Sequence, residues 1–430
     1  MLKDCCVISR LRLFFRFSGA YLVAVLPLIF CFVHVASLRA QERVRTAAGR
    51  LEIESFRRPE AFFRIGPLQE ELIGGVGIQY TDNSQLTNTN KISRLRFYEG
   101  LSLNTTWILS HLNQLQFNFA GQLNEDFYGN GRTRINVGIT PDSLVQFQFA
   151  VSDFRVRLFD RFSYVQDPTS NPTATNTAYL NNLTNTIGTV IDTDLNLAIL
   201  TLAADYTYNN QNGSNAQGQT NPTTSGTRNT FRIGPDLTFR WSPQIFYGIN
   251  TVWSRTTGTS TQGSGGSSNV NSFSAGPFVR GKLSRWTDFD LSGGVNVFET
   301  TPSVPLGYYF SGVIRHLLNK NWQVIFQAAH DTVFTTGTNL TEETVFRLGT
   351  QLNLTRFIIL TGTPFAGFGD EKTGSTQGNF TQYGGQLDLS WKPTRRWTTT
   401  LSYGLTRRSG VSASDSYLQN LLTFQVSYRF

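Results

Sequence analysis

From about residue 72 onward, apolar and polar residues alternate along the chain with a period of two. In QLQFNFAGQL (114–123), apolar residues fall at every second position as far as Phe119. Successive side chains of a β-strand point to opposite faces of a sheet, so this pattern predicts strands with one apolar and one polar face. The alternation recurs in FRIGPDLTFRW (231–241) and in TQYGGQLDLSW (381–391).

The connections between the predicted strands fall into two alternating classes. The short class lies at 140–143, 242–244, 319–321 and 392–395. The long class is rich in Asn, Thr, Gly, Ser and Gln and lies at 167–182, 210–227, 257–268 and 370–378. We therefore predict an all-β fold, a transmembrane up-and-down antiparallel β-barrel of about 18 strands (roughly 16 to 20), with short periplasmic turns and long extracellular loops.

The tryptophan positions favour the membrane barrel. Of the seven tryptophans, six lie beside short turns in this layout: Trp107, Trp241, Trp286, Trp322, Trp391 and Trp397. Aromatic girdles form at bilayer interfaces because the ring is apolar while its N–H group seeks water. A soluble sandwich, solenoid or propeller would also alternate, but it would not be expected to collect tryptophans at one end of its strands.

The alternation breaks in SLVQFQFAVSDFRVRLFDRFSY (143–164). Apolar residues lie at odd positions up to Val151 and at even positions from Phe154, so the phase slips by one near Ser152–Asp153. A β-bulge explains the slip by adding one residue, and a tight hairpin is the alternative. We favour the bulge, because a hairpin would add a strand and break the even number that keeps both termini periplasmic.

Residues 1–40 have the features of a secretory signal peptide. A basic start precedes an apolar run from Ala20 to Ala36, and a small residue follows at Ala40. A spanning helix is the alternative, although the run is short for one. We predict a signal peptide at 1–40, a short periplasmic segment at 41–71 and a barrel at 72–430. The barrel is expected in the cell outer membrane, in contact with lipid, lipopolysaccharide and the outer-membrane assembly machinery.

Composition narrows the chemistry. The net charge of +8 falls to +4 without residues 1–40, which is too small to imply nucleic-acid binding. All three cysteines lie in the first 31 residues, so the barrel has neither disulfides nor thiolate metal sites. The remaining histidines, His111, His316 and His330, form no catalytic or metal-binding motif. We therefore expect no enzymatic activity, no metal and no cofactor.

Charged residues on the polar strand faces are expected to line the lumen, because charge facing lipid costs about 2–4 kcal/mol at the midplane. The lumen-lining candidates are Arg94, Arg96, Arg134, Arg155, Arg157, Arg232, Arg240, Arg280, Lys282 and Arg347. Aspartates share this face: Asp205, Asp236, Asp288, Asp290 and Asp388. Two interpretations stay open: the opposite charges pair and stiffen the wall, or a basic strip selects solutes. Glu99 falls on the apolar face, where a charged residue is not expected.

The strand pair GVGIQYTDNSQLTNTNKISRLRFYEGLSL (75–103) carries a turn at Tyr80–Asn83, a short polar loop and a return strand. It resembles the opening of the type-2 family of β-barrel porins, and RLFDRFSYVQDPT (157–169) also resembles a segment of such barrels. The resemblance spans roughly residues 65–430. It implies an outer-membrane barrel of a kind often linked with exopolysaccharide biosynthesis and export, and it implies no catalytic residue.

The leading functional hypothesis is a porin-like channel for passive passage or export of polar solutes, because a barrel of about 18 strands encloses an aqueous lumen. Residues 41–71 are too few for a plug, so a loop must narrow the channel. The candidate is the loop 167–182, which would otherwise only cap the outside. The alternative is a non-transporting surface barrel whose long loops bind polysaccharide or a protein partner. The oligomeric state stays open.

The last segment, LTFQVSYRF (422–430), alternates as a strand does and is expected to pair with the first strand, because closure removes both sheet edges. Its residues Phe424, Val426, Tyr428 and Phe430 resemble the signal read by the outer-membrane assembly machinery. We expect deletion of Phe430 to lower the amount of assembled barrel, whereas wild-type amounts would contradict the signal role.

Overall fold

A computed structural model describes residues 63–88, 91–167, 179–214, 225–260, 267–299, 306–334, 340–371, 378–410 and 416–430. The predicted signal peptide lies outside the described residues, as does most of the predicted periplasmic segment. No helix among the described residues is both long enough and apolar enough to cross a membrane.

The described residues form twenty β-strands. Their bounds are β1 (Phe63–Ile65), β2 (Leu68–Thr81), β3 (Arg94–Ile108), β4 (Gln114–Tyr128), β5 (Thr133–Ile139), β6 (Leu144–Val151), β7 (Phe154–Val165), β8 (Tyr179–Asp194), β9 (Ala198–Ser214), β10 (Gly226–Arg240), β11 (Ile245–Ser260), β12 (Ser267–Ser284), β13 (Thr287–Glu299), β14 (Gly307–Asn319), β15 (Trp322–Phe334), β16 (Leu340–Asn353), β17 (Ile358–Glu371), β18 (Gly378–Trp391), β19 (Trp397–Ser409) and β20 (Tyr417–Arg429).

Antiparallel pairing of sequence neighbours continues around the sheet until β20 pairs with β2, from Ile73 opposite Arg429 to Thr81 opposite Leu421. This pairing closes the sheet into a barrel. Strands β5 and β6 both pair with β4, one after the other, and so form one wall strand. The short β1 only folds back on the start of β2. The wall therefore has 18 strands, as the sequence predicts.

The structure corrects the two predictions made around residue 143. The segment 140–143 is not a periplasmic turn, because β5 and β6 run in the same direction along β4 on either side of it. Ser152–Asp153 is not a bulge, because Val151 pairs with Phe154 and the chain reverses there. The backbone of Ser152 has φ +53°, a conformation that suits a tight hairpin turn. The two errors cancel, which leaves the strand number even.

Side-chain hydroxyl groups stabilise several of the short turns. Ser110, Ser242, Thr355 and Thr394 each accept hydrogen bonds from the backbone N–H groups two and three residues later in the chain, at 3.0–3.2 Å. Ser and Thr favour such local bonds over a continued strand ladder. These residues therefore help to end the strands where the short connections begin.

Apolar side chains cover the outer surface of the wall. Phe97, Ile249, Phe326 and Leu387 are each more than two-fifths exposed in the isolated chain, although they lie in the middle of strands. A belt of this kind, around a wall with no free sheet edge, is the surface that a bilayer requires. The protein is an outer-membrane β-barrel, with its short turns on the periplasmic side.

The six tryptophans assigned to the short-turn end all lie there. Trp322, Trp391 and Trp397 stand at the ends of their strands on the outer face, as do Trp107 and Trp241. Trp286 lies in the turn between β12 and β13. This girdle marks the periplasmic interface. The first wall strand begins at Leu68 rather than at the expected boundary of residue 72.

Candidate functional site in the barrel lumen

Strand register places all ten lumen-lining candidates on the inner face. Arg96 lies opposite Asp126, Arg232 opposite Asp205 and Arg280 opposite Asp290, each on the face away from the apolar belt. The full set on this face is Arg94, Arg96, Arg134, Arg155, Arg157, Arg232, Arg240, Arg280, Lys282 and Arg347. Alternation alone was therefore sufficient to find which face each residue occupies.

Four charged side chains form a compact cluster in the outer half of the lumen, which we term the outer cluster: Arg94, Arg96, Asp126 and Asp167. The Arg96 guanidinium binds the Asp126 carboxylate with two hydrogen bonds, of 2.6 and 2.9 Å. Arg94 binds Asp167 at 3.1 and 3.3 Å, and Arg96 also donates to Asp167. Asp126 is 0% exposed and Arg94 1%. Two cations thus meet two anions, so the outer cluster carries no formal net charge.

The first residue of the predicted constricting loop 167–182, Asp167, belongs to the outer cluster. Asp167 is buried against Arg94 and Arg96. Residues 168–178 lie outside the described part of the chain. The prediction that this loop narrows the lumen therefore stays a prediction, although its base is fixed on the inner face.

A second segment was missed by the sequence analysis. Residues 82–88, which we term the inner segment, follow β2, and most of them are buried. The Asn83 side-chain amide donates to the carbonyls of Thr87, at 2.6 Å, and Leu418, at 2.9 Å. Its Oδ1 accepts from the Thr87 N–H, and the Gln419 amide donates to the Asn83 carbonyl. These bonds fix the inner segment to the start of β20.

The inner segment lies on the lumen side of the wall. Leu86 is 2% exposed and packs against Tyr417, which shares the inner face of β20 with Gln419. On the next strand the Arg408 guanidinium lies over the Phe380 ring, 3.9 Å from its centroid. Packed aromatic and polar side chains therefore fill this side of the outer mouth.

The periplasmic half of the lumen is more accessible. Arg315 and Asp288 form an ion pair of 2.9 Å near the short turns, and their side chains are 44% and 41% exposed. Arg96 and Asp126 in the outer half are 5% and 0% exposed. Both pairs lie on the inner face, so among the described residues the charged pair near the short turns is more exposed than the pair in the outer half.

The ion pairs favour the first of the two interpretations of the lumen charges. Arg94, Arg96 and Arg232 each contact an aspartate within 3.1 Å. The Arg232 bond to Asp205 crosses two neighbouring strands and so links the wall. Exposed cations remain nearer the periplasmic end, at Arg155, Arg240 and Lys282. A role for these three in solute selection stays a prediction.

Polar groups also occur on the lipid-facing side. Glu99 is exposed there between Val76 and Leu123, as its sequence position indicated. Asp160 is a second case that the sequence analysis missed, and it accepts a 2.7 Å hydrogen bond from the Asn185 amide. Alternation also places Asp160 on the outer face, because it occupies an even position among the apolar residues that follow Phe154.

The three histidines of the barrel lie apart. His330 is on the outer face, 2.7 Å from the Thr344 hydroxyl and 3.2 Å from Glu342, with its ring stacked on Tyr308. A hydroxyl, an imidazole and a carboxylate are thus in line. The described backbone around these three residues belongs to the ladder between β15 and β16. Among the described residues there is no group of three or more side chains suited to a metal ion.

The residues proposed as the assembly signal lie in β20 and just after it. Phe424 is exposed on the outer face, and Val426 and Tyr428 share that face by alternation. The Phe430 N–H donates to the carbonyl of Leu72, 2.9 Å away, and its ring packs edge-on against Tyr428. The predicted pairing with the first strand is confirmed, and the signal role stays a prediction.

No family model matches the chain, and no curated protein matches it. Among solved structures, OccK7 (OpdD) of Pseudomonas aeruginosa is similar over 85% of this chain and 99% of that chain, with 10% identity and a TM-score of 0.48. OpdQ of Pseudomonas aeruginosa is similar over the same shares, with 8% identity and a TM-score of 0.47. The siderophore receptor PirA from Pseudomonas aeruginosa covers 83% of this chain and 80% of its own, with 11% identity and a TM-score of 0.41. Similarities this low support no inference about function, and the fold is assigned from the strand pairing.

Proposed function

We propose that the barrel is a porin-like channel for small polar solutes, with a wide periplasmic vestibule and a narrow outer half. One observation carries the proposal: charged side chains line the inner face throughout, and those near the periplasm, such as Arg315 and Asp288, are exposed. Charge on the inner wall of a closed barrel is costly in a dry core and inexpensive in a water-filled one.

The outer cluster and the inner segment form the selective part of the proposed channel. The outer cluster offers both donors and acceptors without net charge, so it favours neutral or zwitterionic polar solutes over ions of one sign. Passage requires the inner segment to move, since Leu86 and Asp126 are buried. Export of a polysaccharide, which the resemblance to type-2 porins suggests, would need a larger displacement of the same segment.

A second candidate function is favoured by the burial in the outer half. Arg94, Asp126 and Asn83 are at most 1% exposed, which is the condition expected of a barrel that stays closed. Such a barrel would act through its long outer loops, as a surface protein that binds polysaccharide or a protein partner. The two functions share one fold and differ only in whether the outer half opens.

Conductance across planar lipid bilayers separates the two functions. The purified barrel is added to one side in potassium chloride under an applied voltage. The channel predicts discrete current steps that persist for seconds. A barrel that inserts, as judged by its resistance to added protease, but produces no steps would contradict the channel and support the surface protein.

A further inference from the structure

The eight short turns of the described wall divide into a basic half and a half without basic residues. The turns between β12 and β19 lie at 285–286, 320–321, 354–357 and 392–396. They contain six basic residues and no acidic one: Arg285, Lys320, Arg356, Lys392, Arg395 and Arg396. The other turns, at 109–113, 152–153, 195–197 and 241–244, contain no Lys or Arg. We term the first set the basic rim.

The basic rim stands at the height of the membrane interface. All six of its cations are exposed. The Arg285 guanidinium lies 4.7 Å from the Trp286 ring centroid, and that of Arg356 lies 4.5 Å from the Phe357 ring centroid. Trp286 belongs to the girdle that marks the bilayer boundary, and Phe357 lies in the turn between β16 and β17 at the same end of the barrel. The cations are therefore held beside the lipid headgroups.

Contacts in the turn 392–396 also indicate that the cations of the basic rim lie beside the outer, lipid-facing surface. The Arg396 guanidinium donates a 3.2 Å hydrogen bond to the hydroxyl of Tyr428, on the outer face of β20. Lys392 and Arg396 adjoin Trp391 and Trp397, which are also on the outer face. Cations that bind an acidic soluble protein would be expected to project into the periplasm, away from the girdle.

We propose that the basic rim binds the phosphate groups of anionic phospholipids in the periplasmic leaflet. Phosphate oxygens accept hydrogen bonds from guanidinium and ammonium groups, and the acyl chains would then lie along the aromatic belt. One half of the barrel would collect anionic lipid, while the half without basic turns would not. This inference does not depend on whether the lumen conducts.

Tryptophan fluorescence provides the test, because four tryptophans adjoin the basic rim. The barrel is reconstituted in phosphatidylcholine vesicles with about one fifth phosphatidylglycerol, and bromine is placed on the acyl chains of one lipid at a time. Brominated phosphatidylglycerol should quench the wild-type barrel more than its mole fraction predicts. About 0.5 M sodium chloride should abolish the excess, since salt screens exposed charges.

The rim variant Arg285→Gln, Lys320→Gln and Arg356→Gln retains every tryptophan and removes three positive charges. It should weaken the relative association with phosphatidylglycerol by about a hundredfold, because each of the three surface cations contributes about fivefold. A matched variant, Lys91→Gln, Arg132→Gln and Arg255→Gln, removes three charges nearer the extracellular end and should keep the wild-type preference. Equal quenching of the wild type by the two brominated lipids would overturn the proposal, as would an undiminished preference in the rim variant.

Discussion

At the residue scale, Asp126 is a fully buried and multiply hydrogen-bonded group of the lumen. It is 0% exposed and binds Arg96 through both carboxylate oxygens, and it also accepts a 2.7 Å hydrogen bond from Asn136. Replacing it with asparagine leaves the two arginines of the outer cluster with Asp167 alone. A buried charge that loses its partner is destabilised, and its field then acts on passing ions.

We expect Asp126→Asn to lower the free energy of unfolding by about 3 kcal/mol and to shift the selectivity of the channel towards anions. Urea denaturation measures the first effect, and the reversal potential in a potassium chloride gradient measures the second. Asp388→Asn is the matched control, because Asp388 also faces the lumen but hydrogen-bonds Gln386 rather than the outer cluster. Equal shifts in the two variants would contradict the importance of the outer cluster.

Gly77 illustrates a second constraint at the same scale. A Cβ atom at this position would lie 2.3 Å from the ring of Tyr98 on the neighbouring strand. Gly77→Val must displace that ring, so we expect a loss of about 1–3 kcal/mol in the free energy of unfolding. The double variant Gly77→Val with Tyr98→Ala should recover part of the loss, since the clash is gone. No recovery would show that the ring is not the cause.

At the element scale, the hairpin at Ser152–Asp153 and the interruption at 140–143 can be tested by labelling. The cysteines of the chain all lie in its first 31 residues, so a cysteine introduced in the barrel is a unique target once that segment is removed. We expect Asp153→Cys to react with a maleimide that cannot cross membranes only when the reagent reaches the periplasmic side. Asp142→Cys should not share that behaviour, because 140–143 lies within the wall. If Asp142→Cys reacts from the periplasmic side and Asp153→Cys does not, 140–143 is a periplasmic turn and 152–153 is a bulge, as the sequence predicted.

The same elements show what alternation can and cannot predict. A slip of one residue in phase is produced both by a bulge and by a two-residue turn, so FAVSDFRV (149–156) leaves the choice open. TPDS (140–143) contains Pro and Asp, which favour turns, and thus resembles a reversal. Only the pairing of β5 and β6 with the same strand, β4, shows that the chain continues. Pairing between distant strands is not encoded in any short stretch.

The inner segment was missed for a similar reason. SQLTN (84–88) has the polar composition of a solvated loop, and its single apolar residue, Leu86, gives no periodic signal. Its position depends on Asn83, which hydrogen-bonds the carbonyl of Leu418 across the closing pair of strands. Because that contact joins the two ends of the sheet, it exists only after the barrel has closed.

At the scale of the whole molecule, closure between β2 and β20 creates the apolar exterior and the polar lumen together. The alternating faces and the tryptophan girdle were predictable, since each follows from one strand at a time, whereas the correct strand number resulted from two errors that cancel. The filling of the outer half was not predictable, because Asp126, Asp167 and the inner segment come from separate parts of the chain. The proposed function therefore depends on whether these residues narrow an open channel.

The most direct test is the single-channel conductance of a barrel in which residues 84–91 are replaced by two glycines. Thr81 and Arg94 are already paired, so a short turn can join β2 to β3. We predict that conductance rises about twofold or more over the wild type, because the constriction limits the current. A control with Asn130→Gly and Arg132→Gly, in the neighbouring turn of the same mouth, should conduct like the wild type. Unchanged conductance in the shortened variant would contradict the proposed constriction.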